Sequence, residues 1–74
     1  MKEQNSLLSR ITLDPKIRGG KPLINGTRIT VEDVLSYLAS GMTIDEFLND
    51  FPQVQKEDIL ACFAYCVEML YNKT

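Results

Sequence analysis

The sequence contains no histidine and only two cysteines among its 74 residues. Without histidine the usual general base near neutral pH is missing, which excludes Ser-His and Cys-His arrangements for nucleophilic catalysis. Two cysteines are too few for a disulfide scaffold. Cys62 and Cys66 supply only half of the thiolates of a zinc site, and although a dimer could assemble four, buried free thiols are the favoured interpretation. We therefore expect neither an enzyme nor a metal or cofactor site.

Long apolar runs are also missing. No segment reaches the roughly 18 apolar residues that a membrane span requires, and the first six residues lack the apolar core of a signal peptide. The proportions of 45% hydrophobic and 24% charged residues are those of an ordinary globular domain rather than a disordered tail. We expect one cytoplasmic domain with no membrane contact. Because a lone chain of this length buries only about 60% of its unfolded surface, self-association or a partner is expected as well.

The charge is unevenly distributed along the chain. Residues 1–28 carry six basic and two acidic residues, a net charge of +4, whereas residues 29–74 carry two basic and eight acidic residues, a net charge of −6. A basic amino-terminal third suggests contact with phosphates or with an acidic partner. The alternative is a solvated surface with a chance asymmetry, because only six cations are involved.

Turn signals divide the basic segment. Residues 11–13 alternate as in a short strand that stops at Asp14-Pro15, and residues 18–22 have the composition of a flexible loop. Asn25 and Gly26 lie between β-forming residues and predict a type I′ turn, in which both residues adopt positive φ. We expect a small hairpin or short extended arms rather than a full sheet.

Capping signals predict the first two of three helices. Thr30 with Asp33, and Thr43 with Glu46, have the spacing of capping boxes, in which each side chain accepts a backbone N–H at the helix start. Gly41 is suited to end the first helix, because glycine readily adopts the conformation that follows a carboxyl end. The apolar residues expected to face the core are Val31, Val34, Leu35, Leu38 and Ala39 in the first helix, and Ile44, Phe47, Leu48 and Phe51 in the second.

A third helix is predicted from near Lys56 to about Asn72. Pro52 ends the preceding helix, since the residue before proline avoids helical geometry, and Gln55 is a poor cap for the next one. Within residues 59–71, Glu68 is the only residue that is not apolar. At about 100° per residue, one line of this helix should pack on the first two helices. Its members are Ile59, Phe63, Cys66 and Leu70.

Both flanks of that line are apolar too, and a helix that is apolar nearly all round should be buried nearly all round. The first two helices are too short to cover both flanks. We therefore infer that at least one flank meets another chain, with a wide core stripe as the alternative. The candidate interface residues are Leu60, Ala64, Val67 and Tyr71 on one flank, and Tyr65 and Met69 on the other.

Residues 20–29 read G-K-P-L-I-N-G-T-R-I. Together with Val31, Gly41, Thr43, Glu46 and Phe51-Pro52, this motif resembles the domain-of-unknown-function family 433 (DUF433), and the resemblance covers roughly residues 11–71. It implies short amino-terminal strands followed by a homeodomain-like, helix-turn-helix-like unit of three helices. It also implies a relation to VapB-type antitoxins, which are often encoded beside PIN-like ribonuclease toxins, bind the toxin and often repress their own operator.

In a helix-turn-helix unit the third helix would enter the major groove of DNA with its first residues. Two of these, Glu57 and Asp58, are acidic and oppose the approach of phosphates. The basic amino-terminal segment therefore provides the better candidates. The candidate nucleic-acid contacts are Arg18, Lys21 and Arg28, then Arg10 and Lys16, and Lys56 at the start of the third helix.

The sequence thus predicts a mainly α protein with a flexible amino terminus over residues 1–9. A single antitoxin-like domain follows over residues 10–74, with a short amino-terminal β-hairpin or arm and three helices. The predicted function is that of a small antitoxin-like regulator, as a homodimer, that binds a PIN-like ribonuclease and, as a further option, operator DNA. The alternative is a dimeric protein-interaction module without nucleic-acid binding, whose acidic body would complement a basic toxin.

Overall fold

Within the described part of the chain, two very short strands precede the three main helices. The computed structural model describes residues 6–72. In chain order its elements are β1 (Ile11–Thr12), a 3-10 turn (Arg18–Gly20), β2 (Leu23–Ile24), α1 (Val31–Ala39), α2 (Ile44–Asp50) and α3 (Lys56–Asn72). Residues 6–8 are helical, and the rest of the expected flexible amino terminus, residues 1–5, lies outside the described residues. The predicted mainly α fold with short amino-terminal strands is confirmed.

Capping boxes begin α1 and α2 as the sequence predicts. The Thr30 hydroxyl accepts the Asp33 N–H at 2.8 Å, and the Asp33 carboxylate accepts the Thr30 N–H at 3.0 Å. Thr43 and Glu46 form the same pair of bonds at 3.1 and 2.8 Å. Each box satisfies backbone donors that have no partner within the helix, so these local bonds determine where both helices begin.

The ends of α1 and α2 also follow the sequence signals. Gly41 has a φ of 109° and its N–H donates to the Leu38 carbonyl at 3.1 Å, which closes the carboxyl end of α1. Phe51, the residue before Pro52, is the carboxyl cap of α2. The connections between helices are therefore short, and each of the three helices contacts the other two. No helix within residues 6–72 has the length and apolar character to cross a bilayer.

The strands pair differently from the predicted hairpin. β2 lies antiparallel to β1, with Ile11 opposite Ile24 and Thr12 opposite Leu23. On the other side of the turn, β2 forms a single bridge between Leu23 and Thr30. The main strand partner of β2 is thus the segment before residue 13, and not the segment immediately after the turn.

The expected type I′ turn at Asn25 and Gly26 is wrong. Gly26 has a φ of 76°, but Asn25 lies outside the left-handed region. The reason is that Asn25 is attached to the first strand segment. Its N–H donates to the Arg10 carbonyl at 2.9 Å, its side-chain amide donates to the Ser9 carbonyl at 2.8 Å, and its side-chain oxygen accepts from the Thr12 hydroxyl. These bonds outweigh the local preference of Asn-Gly.

Phe47 lies at the centre of the core and is fully buried. Its ring stacks on that of Phe51 with centroids 4.5 Å apart and meets the ring of Tyr37 at 5.9 Å in an edge-on arrangement. The buried cluster around it comprises Ile24, Val31, Val34, Val54, Ile59 and Cys62. The core therefore draws on β2, all three helices and the segment before α3.

The predicted core line of α3 is partly wrong. Ile59 is buried, but Phe63 is 40% exposed and Leu70 is 68% exposed. The buried side of the helix carries Ala61 and Cys62 instead. The sequence interpretation considered only α1 and α2 as packing partners, whereas β1 also contacts α3. Small side chains allow such close approach, so the large residues Phe63 and Leu70 face outward.

Candidate protein-interaction surface

An apolar strip runs along the outer side of α3. Spaced by three or four residues, its side chains share one side of the helix, and we call this strip the α3 face. Its members are Leu60, Phe63, Val67, Leu70 and Tyr71, of which Tyr71 is the most exposed at 72%. Three of them were predicted as interface residues, namely Leu60, Val67 and Tyr71. Their exposure places them on the surface of this chain.

Phe63 and Leu70 are the interface candidates that sequence reasoning missed. Their spacing from Ile59 is that of residues on one side of a helix, and from the sequence this side is predicted to face the core. Because α3 is apolar nearly all round, the same spacing also fits an exposed side. The sequence did contain one signal for the buried side of α3, namely the size of the side chains. The alanines at positions 61 and 64 are small and allow another element to pack closely on that side. Ala64, predicted as an interface residue, is only 5% exposed and does not belong to the α3 face.

A groove of about 590 Å³ lies beside this face, between α1 and the second half of α3. Apolar side chains dominate its lining, including Leu35 and Ala39 of α1 and Cys66 and Met69 of α3. Tyr65 also lines it and is half-buried, so the two residues predicted on the second flank, Tyr65 and Met69, both face this groove. We call it the α1–α3 groove. Leu70 belongs to both features, which makes the groove and the α3 face one continuous surface.

Three predicted nucleic-acid contacts are engaged in ion pairs within the chain. Arg10 pairs with Asp58 at 3.1 Å, Arg18 with Asp33 at 3.2 Å, and Lys21 with Glu32 at 3.0 Å. Each acid lies in the first turn of α1 or α3, where the helix dipole also favours negative charge. Three of the basic residues in the amino-terminal segment thus bind acidic residues in the first turns of α1 and α3, and these ion pairs join the segment to the two helices.

The segment predicted as a flexible loop is held by these contacts. Arg18 has a φ of 50° at the start of the 3-10 turn. Its guanidinium donates to the Arg28 carbonyl at 3.0 Å and to the Asp33 carboxylate at 3.2 Å. Burial raises the pKa of Asp33, but hydrogen bonds from Thr30 and the charge of Arg18 outweigh it and lower the pKa below its usual value.

The other three predicted nucleic-acid contacts are Lys16, Arg28 and Lys56. All three are exposed, and none forms an ion pair with any residue between 6 and 72. Asp58, in contrast, is 7% exposed and neutralised by Arg10. Of the two acids at the start of α3, only Glu57 therefore faces solvent.

The start of α3 depends on Asp58 as well. The Asp58 carboxylate accepts the Gln55 N–H at 2.8 Å, which is one half of a capping box. The sequence indicates that Gln55 is a poor amino-terminal cap. Asp58 compensates because its carboxylate accepts the Gln55 N–H. Asp58 thus joins β1 to α3 through Arg10 and also supports the first turn of the helix.

Neither cysteine is disulfide-bonded. Cys62 is buried, and desolvation together with the nearby Cys66 and Asp58 raises the pKa of its thiol to about 12, so Cys62 stays protonated at neutral pH and is a poor nucleophile. Cys66 is half-buried in the α1–α3 groove. Across residues 6–72, no group of three or more potential ligands is placed to hold a metal ion.

Across residues 6–72, these features define a small domain of three main helices with a two-stranded amino-terminal sheet and an exposed apolar helix face. The chain belongs to the DUF433 family, described as a protein of unknown function, whose sequence model matches residues 11–66. The predicted family is therefore confirmed. The match covers both strands, α1, α2 and the first two-thirds of α3.

Two known proteins are similar to this chain. The chain is 34% identical over 55 residues to the uncharacterized protein y4eO of Sinorhizobium fredii, covering 74% of this chain and 25% of that protein. It also resembles the crystal structure of a DUF433 member protein from Anabaena variabilis, with a TM-score of 0.78 and 30% identity, over 86% of this chain and 63% of the other. The chain thus spans about a quarter of the curated relative and less than two-thirds of the solved one.

Proposed function

We propose that this protein is a protein-interaction module of the antitoxin-like class, which binds another protein through the α3 face. The observation that carries the proposal is the continuous apolar surface formed by that face and the α1–α3 groove. Monomeric proteins rarely leave large apolar patches uncovered, and such patches mark sites of association. The partner chain is either a second copy or a PIN-like ribonuclease of the kind that the family resemblance implies.

The size of the surface supports specific binding. The side chains of the α3 face and Met69 are 38–72% exposed and together present on the order of 600 Å² per copy. Burying this area would contribute on the order of 15 kcal/mol at about 25 cal/mol per Å². Association costs roughly 4–15 kcal/mol, so this gain is large enough to offset the cost, while the quality of the contacts rather than the area sets the affinity.

The charge of the helical part favours a basic partner. Asp45, Glu46, Asp50 and Glu57 are exposed, and within residues 6–72 none of them takes part in an ion pair. A ribonuclease must attract a polyanionic substrate and therefore presents basic surface. Such a surface would complement these acids and increase the rate of association.

A direct test measures binding to the product of the neighbouring gene by calorimetry. We expect the wild-type protein to bind and the Leu70→Glu variant to bind at least about tenfold more weakly, because a buried carboxylate loses its hydration. Leu13→Glu is the matched control, since Leu13 is 63% exposed, similar to Leu70, but lies after β1 and outside the α3 face. Equal binding by Leu70→Glu and wild type would contradict the proposal.

DNA binding is a second candidate function. It is favoured by Lys16 and Arg28, which are exposed cations without an acidic partner within residues 6–72. Because Arg18 bonds to the Arg28 carbonyl, these cations belong to one basic region around the 3-10 turn. The remaining positive charge is small, however, so that any binding would depend strongly on low salt.

Anisotropy titration with a duplex from the protein's own promoter tests this second function. With about two phosphates neutralised, the slope of log K against log salt concentration should be near −2. The double change Lys16→Ala and Arg28→Ala should abolish the binding. The single change Arg28→Ala should weaken it more than Lys73→Ala, which removes the same charge at another position of the sequence. Absence of binding at low salt would exclude the DNA function and leave the protein-interaction function intact.

A further inference from the structure

We propose that the α3 face is an interface between two copies of this chain, which pack their α3 helices antiparallel around a two-fold axis near Val67. This inference rests on the proposed function, because it assigns a particular partner to the same surface. Whereas the proposed function allows a different protein as the partner, the dimer requires only this chain. The argument uses the shape, the area and the charge of the surface.

The surface is self-complementary in shape. A two-fold interface uses the same patch on both copies, so the patch must contain a projection and a matching depression. Leu70 projects with 68% of its surface exposed, and it borders the α1–α3 groove of about 590 Å³. A two-fold axis would place the projecting Leu70 side chain of each copy against the α1–α3 groove of the other copy. Helices commonly pack in this way, with side chains of one helix between those of its neighbour.

The area of the surface is sufficient for a dimer. About 600 Å² on each copy gives about 1,200 Å² over both, the lower limit of the range of about 1,200–2,000 Å² that specific interfaces bury. Groove residues such as Cys66 and Leu35 would add to this. A peptide in the groove alone would leave Leu60, Phe63 and Val67 uncovered, whereas a second copy covers both features.

The charge distribution permits contact between identical surfaces and favours the antiparallel direction. No residue of the α3 face is charged. Glu32 lines the α1–α3 groove, but its charge is paired with Lys21 at 3.0 Å. Glu57 is exposed near one end of the strip. Parallel α3 helices would bring the two Glu57 side chains together, whereas antiparallel helices separate them. In the antiparallel arrangement, Val67 lies opposite Val67 of the second copy, and Phe63 lies opposite its Tyr71.

Light scattering of the purified protein tests the dimer in the absence of any other protein. Over a concentration series up to about 200 µM, the mass should approach twice the 8.4 kDa of one chain. Leu70→Glu should weaken dimerisation at least about tenfold, while Leu13→Glu should leave it unchanged. Circular dichroism of both variants verifies that they are folded, as expected from the exposure of both positions.

A cross-linking variant tests the direction of the helices. Val67→Cys, combined with Cys66→Ser, should form a disulfide-linked dimer under mild oxidation, because the two-fold axis brings the introduced thiols together within bonding distance. Phe63→Cys in the same background should not cross-link at equal concentration, because antiparallel helices place position 63 opposite position 71, whereas parallel helices would join position 63 to itself. Dimerisation by light scattering with no cross-link through position 67, or with a cross-link through position 63, would overturn the antiparallel arrangement about Val67.

The outcomes separate this inference from the proposed function. A monomer at all concentrations that still binds a partner protein through Leu70 would overturn the dimer and keep the protein-interaction function. A dimer that Leu70→Glu does not weaken would also overturn the inference, because another surface would then be responsible. A monomer that binds no partner would overturn both.

Discussion

Replacing Phe47 with alanine is expected to lower the free energy of unfolding by about 3–5 kcal/mol. Phe47 is fully buried, stacks on Phe51 at 4.5 Å and meets Tyr37 at 5.9 Å. Its removal leaves a cavity at the point where all three helices meet. Since small domains are stable by only about 5–15 kcal/mol, a large share of the protein should be unfolded at 37 °C. Urea unfolding followed by circular dichroism measures the loss.

Phe63→Ala is the matched control, because the same ring is removed from a side chain that is 40% exposed. We expect it to lower the free energy of unfolding by less than about 1.5 kcal/mol. Both variants should be measured at about 1 µM, so that any self-association does not contribute to the stability. A loss at Phe63 equal to that at Phe47 would place Phe63 in the core, as the periodicity of the sequence predicts.

The second large effect is expected at Asp58. Asp58→Ala should lower the free energy of unfolding by about 2–3 kcal/mol, because it leaves the Gln55 N–H without its acceptor and Arg10 without its charge partner. Asp58 is 7% exposed and its carboxylate accepts bonds at 2.8 and 3.1 Å. Urea unfolding again provides the measurement, and the helix signal should report fraying at the start of α3.

Glu57→Ala provides the control for Asp58, since Glu57 is the adjacent acid, lies in the same helical turn and is exposed. Its replacement should change the stability by no more than about 0.5 kcal/mol. A double-mutant cycle with Arg10→Met separates the ion pair from the capping bond. If Asp58→Ala were as stable as Glu57→Ala, the link between β1 and α3 would have no energetic importance.

The ion pairs change the interpretation of the charged amino-terminal segment. Composition alone shows six cations that could meet phosphates, but the fold directs Arg10, Arg18 and Lys21 to carboxylates of α1 and α3. A nucleic acid would have to compete with these carboxylates for half of the predicted contacts. The apolar side chains of Leu60, Phe63, Val67 and Leu70, in contrast, are 38–68% exposed. This difference is why protein binding is the first candidate and DNA binding the second.

The sequence alone determined the local structure of this protein. The starts of α1 and α2 at Thr30 and Thr43, their ends near Gly41 and Pro52, and the family membership all follow from short motifs. Such signals are reliable here because the interacting groups lie three or four residues apart, so that no distant segment is needed to form them.

The tertiary structure alone decided which side of α3 faces outward and which cations are paired. Periodicity alone could not choose the buried side of a helix that is apolar nearly all round, and the contacts of α3 with α1, α2 and β1 made that choice. Likewise, Asn25 does not adopt the positive φ of a type I′ turn, because it forms hydrogen bonds to residues 9, 10 and 12 that exist only in the folded chain. These decisions depend on contacts between distant segments, whose geometry no local motif contains.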